Sequence, residues 1–267
     1  MLRWQFYGAS DVGRKRSKNE DAWGYDDSLG LFIVADGMGG HAAGEQASQI
    51  AVQEVLTFVR TAQADPDATW PGFTADTDEW KEHVLRWALL KAHQRILETA
   101  GTHAEWQGMA TTAVVVQLDP EGRRAFIAHV GDSRAYLIRQ GKIIQLTQDH
   151  SWVNEQIKVG VITAEEARVH PFRNVVTRAL GGPQEPVVDV DEEPLEPGDI
   201  LLLCTDGLSG VVSDEDILSV VTRHGADLEG AVQELIQQAN ANGGPDNITV
   251  VLVRIVADAN QTVGIRQ

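Results

Sequence analysis

The stretch Leu31-Phe32-Ile33-Val34-Ala35-Asp36-Gly37-Met38-Gly39-Gly40-His41 decides how this chain is read. Its first five residues form a short, continuous, β-prone apolar run, the mark of a buried strand. A carboxylate then closes the strand on a turn where glycine alone is comfortable. The Asp36 side chain and the Gly37 carbonyl are left facing the same point. A hard divalent cation wants such a paired oxygen site. Asp-Gly is also the commonest turn signal, so the run gains weight only because the device recurs downstream.

Three more aspartates stand at strand ends beside glycine or other turn residues. Asp132 follows the run Arg124–Val130 in Val130-Gly131-Asp132-Ser133-Arg134, and Asp206 follows Ile200–Leu203 in Cys204-Thr205-Asp206-Gly207-Leu208. Asp246 precedes the last strand in Gly243-Gly244-Pro245-Asp246-Asn247-Ile248. Strand ends on one edge of stacked sheets converge, and carboxylates gathered that closely repel unless cations lie between them. No His or Cys pair has zinc-finger spacing, so the pattern implies an all-oxygen site that favours Mg²⁺ or Mn²⁺ over Zn²⁺.

Composition narrows the class. A chain of 267 residues with 43% apolar content is long enough for a substantial core and lies near the upper limit for one domain. No stretch approaches the ~18 apolar residues that cross a bilayer, and the N-terminus lacks a signal-peptide block. The single cysteine, Cys204, sits inside Ile200–Cys204 and reads as a packed core thiol in a reducing, cytosolic setting. A net charge of −17 argues against nucleic acid and anionic membrane as partners.

Strand-like runs cover Thr111–Leu118, Arg124–Val130, Arg134–Ile138, Lys142–Leu146, Ile200–Cys204 and Ile248–Ile255. Tight turn signals at Pro120-Glu121-Gly122 and Gln140-Gly141 predict antiparallel hairpins. Ala47, Ile50, Ala51, Val55, Phe58 and Val59 form one helical stripe, and Glu79–Glu98 carries a second. Ala62–Asp78 reads as a surface loop between them. Ser213 with Asp216 predicts a capping box, and Asp227 caps a last, one-sided helix. Strands cluster and helices cluster between them, which is α+β order on antiparallel sheet. Residues 149–180 are polar, with short helical pieces, and read as an inserted segment lying over something.

Asp11–Asp21 adds Arg14, Lys15 and Arg16 to an otherwise acidic chain. Arg14 and Lys15 suit a solvated loop. Arg16 is the candidate phosphate ligand, because a planar guanidinium grips two phosphate oxygens. Paired cations with one arginine clamp are equipment for phosphoryl hydrolysis.

With these residues in view the chain resembles a bacterial-type member of the metal-dependent protein serine/threonine phosphatases, the PPM or type 2C family. The resemblance runs from about Phe6 to Arg254 through Asp11–Asp21, Asp36–His41, Gly131–Arg134, Thr205–Leu208 and Gly244–Thr249. It implies one phosphatase domain over 1–267, an α-β-β-α sandwich of two antiparallel sheets flanked by helix pairs, with a flap at about 149–180. It implies that Asp36, the Gly37 carbonyl, Asp206 and Asp246 hold two Mn²⁺ or Mg²⁺ ions, with Asp21 direct or through water and Glu20 beside it. Asp132, sharing Asp206, would hold a weaker third ion. The implied reaction is attack of a metal-bridging water on phosphoserine or phosphothreonine in proteins, opposing a Ser/Thr kinase, with the chain a cytoplasmic monomer.

The leaving oxygen needs a proton. His41 is a candidate, although its spacing from Asp36 departs from that of the eukaryotic relatives' histidine. His129 and His150 read as structural. Two other readings stay open: a silent phosphoprotein-binding module, and a small-molecule or nucleotide phosphatase. The metal carboxylates and Arg16 are all present, which gives silence no support. The absence of a Walker-type glycine loop weighs against nucleotides.

Overall fold

A computed structural model describes residues 2–39, 43–65, 79–119 and 123–257. In chain order the elements are β1 (Leu2–Asp11), β2 (Asp21–Asp26), β3 (Leu31–Met38), α1 (Ala43–Ala64), α2 (Trp80–Thr102), β4 (Ala110–Thr111), β5 (Ala113–Asp119), β6 (Arg124–Val130), β7 (Arg134–Arg139) and β8 (Lys142–Gln145). There follow α3 (Trp152–Lys158), α4 (Ala164–Val169), β9 (Asp189–Pro194), β10 (Ile200–Cys204), α5 (Asp206–Ser209), α6 (Asp214–His224), α7 (Leu228–Ala241) and β11 (Ile248–Ala257).

One sheet has the order β1-β11-β10-β7-β8 and the other β2-β3-β5-β6-β9, with β4 added beside β3. Every pairing between named strands is antiparallel. Side chains alternate across each strand, and both faces of the central strands β3, β10 and β11 are dry. Phe32 and Val34 of β3 meet Leu201 and Leu203 of β10 and Val251 and Val253 of β11 between the sheets. Leu31, Ile33 and Ala35 face the other way, under α1 and α2. Leu202, Val250 and Leu252 lie under α6 and α7. Strands covered on both faces read as unbroken apolar runs, which is why the sequence signals them so clearly.

Arg124–Val130 and Ile200–Cys204 form strands with the bounds the sequence predicts. Thr111–Leu118 is split at Thr112, for a reason that belongs to the site. Three strands carry no such sequence signal: β1, β2 and β9. All three are sheet edges. Such strands carry polar residues, and β9 reads Asp-Val-Asp-Glu-Glu-Pro. The Ser213 hydroxyl accepts from the Asp216 amide and donates back to the Asp216 carboxylate, a variant of the expected box. The Asp227 cap is present. Residues 66–78 of the expected loop, the Pro120–Gly122 turn and His41 lie outside the described residues.

Leu203, fully buried between the sheets, sits where truncation leaves a cavity. Leu203→Ala should lower the unfolding free energy by about 2–5 kcal/mol in urea titrations. Val169→Ala, at a side chain 80% exposed, should change it by less than about 0.5 kcal/mol.

Candidate metal centre

Antiparallel pairing sets Asp21 of β2 directly opposite Asp36 of β3. Thr112, at the split between β4 and β5, turns out of the ladder to hold Asp36. Its amide donates to the Asp36 carbonyl at 2.9 Å, and its hydroxyl accepts from the Asp36 amide at 3.3 Å. The Gly37 amide donates to the Glu20 carbonyl at 3.2 Å. A Cβ on Gly37 would lie 2.1 Å from the Gly44 carbonyl oxygen and 2.4 Å from that of Glu20, so only glycine lets α1 close onto this turn.

The second sheet contributes Asp206, directly beyond β10, and Asp246, just ahead of β11. These loops also touch through backbone: a Cβ on Gly207 would meet the Asn247 carbonyl oxygen at 1.8 Å. Asn247 pins three segments together. Its amide group donates to the Val12 and Lys18 carbonyls at 2.9 and 2.8 Å, while its side-chain oxygen accepts from the Glu20 amide at 2.8 Å.

The acids feel one another. Burial pushes the Asp21 carboxyl up to about 7 although Thr249 and Thr205 donate to its Oδ2 at 2.6 and 2.9 Å; Asp206 and Asp246 raise it further. Asp36 is held well above the usual carboxylate range by burial and then by Asp21, Asp206, Asp132 and Asp246. Burial, then Asp206 and Asp149, push Asp132 up to about 7. Asp206 is raised by burial and by Asp246, and Glu20 is raised chiefly by burial. Asp21 Oδ1 and Asp206 Oδ1 are buried without a hydrogen-bond partner. Orphaned carboxylate oxygens among mutually repelling acids fit divalent cations that take hard oxygen donors.

Arg16 is half exposed and donates from Nη2 to Asp246 Oδ2 at 2.7 Å. It therefore stands at the cluster's rim, paired to one of the acids. Asp149 grips Arg134 through two nitrogens, at 2.9 and 2.7 Å, and Tyr136 accepts from the same guanidinium at 2.8 Å. Arg134, Thr205, Thr249 and Asn247 stand in the sequence motifs close to an acid, and that proximity says nothing about a partner distant in the chain.

His129, His150 and Asp189 place ligand atoms within 4.8 Å of one another. The two rings are stacked, with centroids 4.6 Å apart and an interplanar angle of 16°. Nearly parallel rings keep their in-plane lone pairs in separate planes, a poor arrangement for one ion. Cys204 is buried, and burial pushes its thiol up to about 12.

The protein phosphatase 2C family pattern matches residues 10–252. The chain belongs to this family. It is 39% identical to protein phosphatase PhpP of Streptococcus pneumoniae over 247 residues, covering 91% of this chain and 94% of that protein. Serine/threonine phosphatase Stp1 of Staphylococcus aureus superposes with a TM-score of 0.81 at 35% identity, covering 96% of each chain. The catalytic domain of the serine/threonine protein phosphatase PstP, crystallised with two manganese ions, superposes with a TM-score of 0.78 at 34% identity. That match covers 96% of this chain and all of the other. As a 2C-type protein phosphatase the chain is a metal-dependent hydrolase.

Above its raised pKa, ionised Asp132 opposes folding of the metal-free protein, and its protonated form does not. In EDTA, Asp132→Asn should therefore raise the thermal midpoint at pH 8 by several degrees. The gain should vanish as pH falls from about 7 toward the ordinary 3.8, followed by scanning calorimetry. Excess Mn²⁺ should reverse the order of the two proteins.

Proposed function

We propose that this chain removes phosphate from phosphoserine and phosphothreonine in proteins, using Mn²⁺ or Mg²⁺ held by Asp36, the Gly37 carbonyl, Asp206 and Asp246. The observation that carries this reading is the convergence of mutually repelling acids, two of which keep a buried oxygen with no donor. Divalent ions bound there would neutralise the acids and lower the pKa of a water enough to make hydroxide available at neutral pH.

The chain's own residues do the rest. Asp21 supports the cluster from beneath, with one carboxylate oxygen already taken by Thr205 and Thr249. Glu20 assists through its position at the same turn. Asp132 with Asp206 holds a weaker third ion. Arg16, at the rim, exchanges part of its bond to Asp246 for the phosphoryl oxygens and steadies charge as they spread. His41, five residues after Asp36 in the sequence, is the proposed donor of a proton to the departing oxygen. Cys204 takes no part, since a buried thiol pushed up to about 12 is not a nucleophile.

Residues 149–180 form the flap of a single domain spanning 1–267. Val159, Val161, Val169, Phe172 and Val175 are exposed there. Trp152 stacks on His170 at 4.7 Å and meets Phe172 edge-on at 5.3 Å, which gives this apolar surface a fixed base. It suits protein substrates better than small phosphate esters. The biological setting we propose is a cytoplasmic monomer that reverses the action of a Ser/Thr kinase. Among the described residues no helix is long and apolar enough to cross a membrane.

A phosphothreonyl peptide should be hydrolysed with Mn²⁺, lose turnover in EDTA, and survive incubation with Asp36→Ala; phosphate release by that variant would sink the reading. Arg16→Ala should raise KM roughly ten-fold or more, the size of a lost charge-assisted bond, while Mn²⁺ affinity changes far less. An equal loss of both would remove Arg16 from phosphate binding.

A further inference from the structure

The turn that presents Asp132 is held from outside the acidic cluster. Gly131 adopts φ +106°, and a Cβ there would lie 2.5 Å from the Thr112 side chain. The Thr112 and Ser133 hydroxyls are 2.6 Å apart. The turn therefore packs on Thr112, whose own amide and hydroxyl bonds hold Asp36 in place independently of it.

His150 clasps that turn twice. Its amide donates to the Gly131 carbonyl at 2.9 Å, and the Gly131 amide donates to His150 Nδ1 at 3.1 Å. A backbone amide only donates, so Nδ1 accepts and the ring proton resides on Nε2. Nε2 lies 3.1 Å from Asp189 Oδ2 and donates to it. Arg178 Nη1 is 3.2 Å from both Nε2 and Asp189 Oδ1; as a pure donor it serves the carboxylate. The Thr177 amide donates to the His150 carbonyl at 2.8 Å. Burial lowers the His150 pKa to about 4, in keeping with a ring that stays neutral. Next door, Asp149 grips Arg134, so consecutive residues hold both ends of Gly131–Arg134.

We propose that His150, oriented by Asp189, is a positioning residue for Asp132. It ties the Gly131–Asp132 turn to both the start and the end of the segment 149–180. Movement of that segment is thereby felt at the weakest ion rather than at the paired ones. This inference rests on the assignment of Asp132 to a third ion.

Two isosteres separate the halves of the clasp. His150→Asn puts a carbonyl oxygen where Nδ1 lies and keeps the acceptor for Gly131. His150→Gln puts an amide nitrogen where Nε2 lies and keeps only the donor to Asp189. The measurements are amide hydrogen exchange at Gly131 in EDTA-treated protein by NMR, Mn²⁺ binding by calorimetry, and the thermal midpoint. His150→Gln should speed Gly131 exchange and weaken the weakest Mn²⁺ site, each roughly ten-fold, the scale of one buried hydrogen bond. Its tighter sites should stay unchanged, and His150→Asn should retain most of both properties. Equal behaviour of the two variants, or equal weakening of every site alongside a lower midpoint, would overturn the positioning role. Asp132→Asn is the control: if it leaves the number of bound ions unchanged, the third-ion assignment fails and the inference with it. If it removes one ion while His150→Gln binds as the unsubstituted chain does, only the inference fails.

Discussion

Asp21, Asp36, Asp132 and Asp206 share one end of the sandwich, and each is shifted toward protonation by burial and by a neighbouring acid, which for Asp206 is Asp246. Carboxylates confined away from water repel strongly, and folding alone does not relieve them. The surrounding structure has to impose the arrangement. One dry interface between the sheets and one beneath each outer helix layer supply the rigidity, because apolar contacts on both faces of β3, β10 and β11 leave the strand ends no freedom to splay. The repulsion that makes the cluster costly on its own is the feature that divalent cations would relieve.

Glycine and asparagine let the strand ends meet. Gly37 and Gly207 each occupy a place where a single added carbon would strike a backbone carbonyl. Asn247 then uses both ends of its amide to stitch the N-terminal loop to the turn before β11. The motif glycines are therefore steric requirements of bringing loops together. The metal chemistry is downstream of that.

Strands buried on both faces announced themselves as apolar runs, and with them the antiparallel α+β order. Edge strands β1, β2 and β9 did not, because one open edge tolerates the polar and acidic residues that sequence patterns assign to loops. At the site, Asp36, Asp132, Asp206 and Asp246 were visible through a local rule, an acid closing a strand on a turn. Thr112, Thr249, Asn247 and His150 obey no such rule. Each acts on a partner far along the chain: Thr112 on Asp36, Thr249 on Asp21, Asn247 on Val12 and Lys18. Long-range hydrogen bonds leave no periodicity to read. The pairing of Arg16 with Asp246 was hidden for the same reason.

Cys204 is the chain's only sulfhydryl, sealed beneath α5 and α6 on the outer face of β10. Peroxide, alkylating reagents and nitrosating agents act on exposed thiolates, and this protein presents none. Oxidants that silence cysteine-based phosphatases by capturing a catalytic thiolate find no such target here, so that route of inactivation is closed.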